Sequence, residues 1–220
     1  MLRVRDAMTR EVATLGPQAS AAEALALCRE RGIRHLPVID GERLVGLVSD
    51  RDLRDVSPPR GSADAESTLG WVRLADIMTR DVETAHPLDT IEHVAHRMHA
   101  GRIGCLPVVA DRELAGIVTS ADMMRTLTEL VGAGERGSWV EVEVPNEPGA
   151  LAGVATRVGE RGVNIAGIFL SPAKQSTHRM IVLRLERTDP SGVVSALKEA
   201  GYRAYGTESS APVSTGYEES

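Results

Sequence analysis

An internal repeat constrains this chain more than any other feature of its sequence. Residues 6–52 and 76–122 align without a gap at an offset of 70 positions. The matched pairs run along the whole register and include Asp6/Asp76, Met8/Met78, Thr14/Thr84, Pro17/Pro87, Leu36/Leu106, Gly46/Gly116 and Asp52/Asp122. An ungapped match of this length predicts two copies of one structural unit.

Each copy has the pattern of a small β-α-β-β-α unit. An opening extended stretch is followed by a predicted helix over 20–31, whose apolar stripe at i, i+3, i+4 and i+7 recurs in the second copy. Two strands and a short helix follow in each copy. The predicted strands are 36–39 and 44–48, then 106–109 and 114–118. Because one unit is too small to bury its sheet alone, we expect the two to pack face to face.

The last strand of each copy runs into the motif GLVSDRD or GIVTSAD. A hydroxyl residue, Ser49 or Thr119, stands three positions before an aspartate, Asp52 or Asp122, where a helix begins. A helix start offers N–H groups to an anion, the hydroxyl can bind a phosphate, and the carboxylate can accept hydrogen bonds from a vicinal diol such as a ribose. The alternative is that each pair only caps its helix. The repetition of the motif favours binding sites.

Composition and charge disfavour several classes of function. The net charge of −6 argues against a surface for nucleic acid or anionic membrane, and no apolar run reaches bilayer length. No signal segment opens the chain, and Cys28 and Cys105 fall at predicted core positions, as is typical of reduced thiols. No nucleophile elbow, P-loop or metal tetrad is present. We therefore expect a cytoplasmic protein that is not an enzyme and requires no metal or cofactor.

The character of the sequence changes after residue 137. Residues 138–145 alternate apolar and polar, and the patterns that follow have the order β-α-β-β-α-β of a ferredoxin-like domain. The predicted organisation is a first unit at 1–56, a mobile linker at 57–70, a second unit at 71–131, a linker at 132–137, a third domain at 138–206 and a flexible tail at 207–220. The fold class is α+β or α/β.

These patterns resemble two known families. IRHLPVID with GLVSDRD, and IGCLPVVA with GIVTSAD, are similar to the CBS (cystathionine-β-synthase-type) domain, and a tandem pair resembles a Bateman module. NEPGAL at 146–151 and GVNI at 162–165 are similar to the ligand loop and second strand of an ACT domain, although Asn146 replaces the usual Asp. The order CBS–CBS–ACT in a chain of this length resembles the acetoin-utilisation B type of bacterial protein.

The CBS resemblance implies an adenine nucleotide (AMP, ADP or ATP) in each of two clefts. The implied residues of the first site are Thr14, Pro17, Arg34, His35, Leu36, Ser49, Arg51 and Asp52. Those of the second site are Thr84, Pro87, Gly104, Cys105, Leu106, Thr119 and Asp122. In each set the aspartate is expected to bind the ribose and the hydroxyl residue to bind the phosphate. The main chain of residues 34–36, or of 104–106, is expected to contact the edge of the base. Because Ala121 stands where the first copy has Arg51, we expect the first site to prefer more phosphate charge.

The ACT resemblance implies either an amino-acid site or a dimerisation domain. The candidate ligand residues are Asn146, Gly149, Ala150, Leu151 and Asn164. The helix start after Gly149 offers N–H groups to a carboxylate, with Asn164 expected nearby on the next strand. The alternative, slightly favoured, is a capped turn in a domain that only dimerises.

The sequence therefore predicts a homodimeric, non-catalytic sensor. Nucleotide binding between the repeats is expected to change their relative angle, and the linker after residue 131 is expected to pass the change to the ACT domain or to a partner. A role in acetoin or carbon metabolism is implied by the resemblance alone. Two alternatives stay open: an enzyme or enzyme subunit of small-carbon metabolism, and a dimerisation scaffold that binds no small molecule.

Overall fold

The computed structural model describes residues 2–57, 65–132, 135–171 and 177–208. The chain divides into two compact units, Met1–Thr126 and Leu127–Ser220. Within the described ranges, no helix has both the length and the apolar character needed to cross a bilayer.

The first unit contains both sequence repeats. The elements of the first repeat are α1 (Val4–Ala7), α2 (Ala21–Arg31), β1 (His35–Asp40), β2 (Arg43–Ser49) and α3 (Asp50–Asp55). One helix, α4 (Ala65–Trp71), lies between the two repeats. The elements of the second repeat are α5 (Leu74–Ile77), α6 (Ile91–Gly101), β3 (Cys105–Ala110), β4 (Glu113–Thr119) and α7 (Ser120–Val131). The predicted helices and strand pairs of both copies are confirmed.

The four strands form one antiparallel sheet in the order β1-β2-β4-β3. The two hairpins meet where Arg43 of β2 lies opposite Glu113 of β4. Each hairpin contains a register shift, which in the first leaves Val45 without a partner on β1. In the second hairpin the turn consists of Asp111 and Arg112, which both have positive φ, of 51° and 72°. These tight turns fix the register of each strand pair.

The opening segment of each repeat packs on the other repeat. The two β-bridges that show this are Thr9 with Ile117 and Thr79 with Leu47. Val4 of α1 is fully buried in the apolar core of the second repeat, and Leu74 of α5 is fully buried in that of the first. The repeats are therefore intertwined, whereas the sequence pattern predicts only that they pack together.

The mobile linker predicted at 57–70 is corrected in its described part. Residues 65–71 form α4, which packs on α2, and Leu69 is buried in the first apolar core. Burial of this leucine stabilises a helix that Gly70 would otherwise weaken. Trp71, the last residue of α4, is 79% exposed. Residues 58–64 lie outside the described residues.

The second unit has the predicted βαββαβ order. Its elements after α7 are β5 (Ser138–Pro145), α8 (Ala150–Glu160), β6 (Ile165–Leu170), β7 (His178–Leu185), α9 (Ser191–Glu199) and β8 (Arg203–Glu208). The sheet is antiparallel in the order β6-β7-β5-β8, and the apolar core combines residues of the sheet with Val154 of α8 and Leu197 of α9. Residues 207 and 208, predicted as the start of the flexible tail, belong to β8, which pairs with β5 as far as Glu208. Residues 209–220 lie outside the described residues.

The described part of the linker at 132–137 is attached to the sheet of the second unit. Arg184 of β7 is buried, and its Nη2 donates to Oε2 of Glu135 at 2.7 Å. The same guanidinium lies against Gly132, where a Cβ would come 2.5 Å from Nη1. This part of the linker is therefore held by a charge-assisted hydrogen bond.

Candidate ligand-binding cleft

A cavity of about 990 Å³ opens in the first unit. Its walls combine segments of both repeats. They consist of Thr9, residues 11–13, residues 31–35, Gly104, Ile117 and residues 119–122. This volume lies at the upper end of the range for small-molecule sites.

The cavity combines residues that the sequence assigns to two separate sites. Asp122, Thr119 and Gly104, from the second set, line it together with Arg34 and His35, from the first. The exchange of opening segments explains the combination, because the bridge at Thr9 carries residues 11–13 to the end of β4. Sequence reasoning misses Glu11, Val12 and Arg31, because their place beside Asp122 depends on how the two repeats pack together. The repeated motif itself identifies Thr119 and Asp122.

Several other candidate residues lie outside these cavity walls. Three have side chains buried in the fold and can present only main chain: Leu36, Cys105 and Leu106. The carbonyls of Pro17 and Pro87 accept hydrogen bonds from the exchanged helices, from Ala75 N at 2.9 Å and Arg5 N at 3.1 Å. These prolines therefore position the opening segments of the repeats. Thr14 is half-buried away from the cavity, and Thr84 lines a different one.

Both motif aspartates form capping boxes. Oδ2 of Asp122 accepts hydrogen bonds from the Thr119 N–H at 2.8 Å and from its hydroxyl at 2.7 Å. Oδ2 of Asp52 accepts from the Ser49 N–H and hydroxyl, both at 2.7 Å. Helix capping, the alternative interpretation of the motif, is therefore realised in both copies. The hydroxyls are already donating to carboxylates, so Oδ1 is the aspartate oxygen outside each box.

The two Oδ1 atoms differ in their surroundings. Arg125 Nη2 donates to Oδ1 of Asp122 at 2.8 Å and to the carbonyl of Ala7 at 2.9 Å. The first repeat has Asp55 at the position of Arg125, and within the described part of the chain Oδ1 of Asp52 accepts no hydrogen bond. A ribose hydroxyl at Asp122 would therefore share its acceptor with a guanidinium that also holds the opening segment.

The positive charge around the cavity comes partly from the first repeat. The sequence suggests fewer positively charged side chains beside Asp122 than beside Asp52, because Ala121 stands at the position of Arg51. The structure places Arg31 and Arg34 on the walls of the same cavity. The expectation that the first site prefers a nucleotide with more phosphate charge therefore no longer follows from Arg51 alone.

His35 forms one wall where the two repeats meet. Burial lowers the pKa of this imidazole, and the nearby carboxylate of Asp50 opposes the shift only in part. A Cβ at Gly104 would lie 3.0 Å from His35 Nε2, so glycine at this position makes room for the ring. A neutral imidazole beside the cavity can donate one hydrogen bond and accept another.

The two cysteines have the character of core residues. Burial raises the pKa of the Cys105 thiol to about 12 and also raises that of Cys28. Both thiols are free and buried. Among the residues that the structure describes, no three His, Cys, Asp or Glu side chains form a group that could hold a metal ion.

The candidate residues of the third domain do not form one site. Asn146 N donates to the carbonyl of Thr177 before β7, and the carbonyl of Asn164 accepts from Glu186 N after β7. The eight residues of β7 place these ends about 23 Å apart. The expectation that Asn164 lies near Asn146 is wrong, because β6 starts at the far end of its antiparallel partner. Gly149, Ala150 and Leu151 remain beside Asn146 at the start of α8.

Known families account for most of this architecture. The CBS domain model matches residues 4–58 and 74–129, and the ACT domain model matches residues 138–201. The solved structure of AcuB, a Vibrio cholerae protein assigned to acetoin utilization, is 33% identical, covers 60% of this chain and 94% of its own, and has a TM-score of 0.53. CBSX2, solved in complex with AMP, is 31% identical, covers 60% and 99% of the two chains, and has a TM-score of 0.52.

The first curated relatives are much longer than the shared part. A homoserine O-acetyltransferase of Methanohalobium evestigatum is 35% identical over 128 residues, which is 57% of this chain but 24% of the relative. The chain thus spans about a quarter of that protein, and the shared part is the CBS pair. The two matched models together cover most of the sequence, in the order CBS, CBS and ACT. The chain therefore belongs to the CBS-domain family and carries two CBS domains followed by an ACT domain.

Proposed function

We propose that this protein is a non-catalytic regulatory sensor that binds an adenine nucleotide in the cavity containing Asp122. The cavity itself carries the proposal, because it combines in one space a carboxylate for a ribose and two arginines, Arg31 and Arg34, for phosphate. Apolar side chains for a base line the same space: Val12, Ile33 and Ile117. The AMP complex of CBSX2 supports this ligand class, and the likeness to AcuB supports a role in controlling acetoin use.

The contacts of Arg125 suggest how binding becomes a signal. Asp122 lies in the first turn of α7, and Arg125 joins that turn to Ala7 of the opening segment. A ribose that takes Oδ1 of Asp122 weakens this connection, so ligand binding and the position of α7 are coupled.

Thermal unfolding of the full chain with AMP, ADP and ATP tests the proposal. A ligand at about 100 times its Kd adds about 2.7 kcal/mol to stability and should raise Tm by several degrees. GMP serves as the control for the base, and it should produce a smaller shift. The absence of a shift with every adenine nucleotide would contradict the proposed function.

For the ACT domain, dimerisation is the role that the structure supports better. Its outer strands expose three apolar side chains, Ile168 at 43%, Leu170 at 47% and Tyr205 at 60%. Ile168 and Leu170 stand two residues apart on the edge strand β6, and adjoining exposed apolar groups on an open sheet edge favour an interface. We expect the full chain to sediment as a homodimer and Ile168→Glu to shift it toward monomer. A monomeric wild-type protein at micromolar concentration would exclude this role.

A further inference from the structure

A smaller cavity, of about 190 Å³, lies at the hairpin end of the sheet in the first unit. Three arginines line it, Arg43, Arg80 and Arg112, and none of its wall residues is an aspartate or glutamate. Thr84 and the apolar start of β2 complete the walls. We propose that this cavity binds a phosphate group, either as free phosphate or as part of a small phosphorylated metabolite.

The fold places the three arginines around the cavity, and one guanidinium is held there by a hydrogen bond. Arg80 Nη2 donates to the carbonyl of Ala75 at 2.7 Å, which attaches its guanidinium to the exchanged helix α5. Arg43 begins β2, next to Glu113 of β4, whose side chain is not part of the walls. Arg112 has a φ of 72°, a conformation that costs free energy for any residue with a Cβ. Such strain persists where the surrounding structure imposes it, and it often marks a functional position.

The cluster is not a by-product of the repeat. The positions equivalent to Arg43 and Arg112 in the other copy are Glu113 and Glu42. Only Arg80 has an arginine as its counterpart, Arg10. Two of the three positive charges are therefore particular to this edge of the sheet. Guanidinium groups donate paired hydrogen bonds that match the oxygens of a phosphate, so three of them around a small space form a phosphate site.

A bulge in β2 shapes one wall of the cavity. The register shift in the first hairpin places Val45 on the wall without a partner on β1, and the second hairpin has the equivalent shift. Such a bulge bends the strand, which here sets the direction of β2 along the wall. This cavity shares no wall residue with the cavity at Asp122, so the phosphate site does not depend on the proposed nucleotide binding.

Titration calorimetry of the full chain with inorganic phosphate, and separately with glucose 6-phosphate, tests the site. Arg112→Gly removes one guanidinium and also relieves the positive φ. We expect it to weaken phosphate binding by about tenfold or more. The same variant should raise Tm by about 2 °C. Loss of binding in a more stable protein cannot come from misfolding.

A matched pair of variants controls for local structure. Arg80→Gln and Arg10→Gln each remove a hydrogen bond to a main-chain carbonyl, Ala75 O at 2.7 Å or Arg5 O at 2.9 Å. We expect only Arg80→Gln to weaken phosphate binding, although both should lose similar stability. Tighter binding of glucose 6-phosphate would identify a phosphorylated metabolite as the ligand, and tighter binding of inorganic phosphate would identify the free ion. The proposal is overturned if the wild-type protein binds neither inorganic phosphate nor glucose 6-phosphate at millimolar concentration. It is also overturned if all the variants bind these ligands as tightly as the wild-type protein does.

Discussion

Replacing Gly116 with alanine should lower the free energy of unfolding by about 1–3 kcal/mol, and the same change at Gly46 should cost clearly less. A Cβ at Gly116 would lie 2.8 Å from the carbonyl oxygen of Thr9. Thr9 and Ile117 exchange two backbone hydrogen bonds of 2.9 Å, so this oxygen cannot move without breaking the bridge between the repeats. At Gly46 the three nearest atoms all belong to the side chain of Met78, which can rotate away.

Denaturant unfolding of both variants measures this difference, and double-mutant cycles identify its cause. Met78→Ala should cancel most of the cost of Gly46→Ala, because it removes the atoms that clash. Met8→Ala should leave most of the cost of Gly116→Ala in place, although Met8 Sδ lies 2.7 Å from the added Cβ, because the Thr9 carbonyl remains. If Gly116→Ala and Gly46→Ala lowered the free energy of unfolding equally, the Thr9 carbonyl would have to move away from the added Cβ as easily as the Met78 side chain does.

The second large effect is expected on ligand affinity: Asp122→Asn should raise the Kd for AMP by about 10–100-fold. The substitution removes the charge at Oδ1, the oxygen that we assign to the ribose. The asparagine carbonyl can still accept from the Thr119 N–H as Oδ2 does, so the helix keeps its cap. Asp52→Asn is the matched control, since it changes the same motif in the other repeat and should affect this cavity much less.

Calorimetry with AMP and 2′-deoxy-AMP separates the ribose contact from a general effect of charge. In the wild-type protein the deoxy analogue should bind about tenfold or more weakly than AMP. In Asp122→Asn the two ligands should bind alike, because the acceptor has already been changed. If 2′-deoxy-AMP binds to wild type as tightly as AMP does, Asp122 does not contact the diol.

Local patterns in the sequence predict the helices and strands well. The helix predicted over 20–31 is α2, capped by Ser20, and the alternating stretch at 138–145 is β5 with the same ends. Both depend on periodicity within a short window, 3.6 residues for a helix and two for a strand. The α4 helix escapes prediction because its stability depends on burying Leu69 in a core assembled from distant segments.

The candidate site is predictable in part, for the same reason. The motif points to Asp122 and Thr119 because a hydroxyl and a carboxylate at a helix start form a local pattern. Arg31 shares a cavity with Asp122 because the two repeats together form its walls, and no local pattern encodes that arrangement. Asn164 shows the converse: its sequence motif is clear, yet the antiparallel pairing of β6 with β7 places it at the wrong end of the sheet.

The crossing of the opening segments also limits how this protein can be divided. A fragment that ended after the first repeat would lack Leu74 and Met78 from its own interior and would leave Val4 with no interior to enter. Such a fragment could complete its core only by domain swapping, in which two identical fragments exchange their opening segments. Because the two repeats are joined in one chain, this exchange of segments is intramolecular and does not depend on protein concentration. The smallest part of the chain that completes both cores is therefore the fused pair, and damage to one repeat affects the other through the exchanged segment.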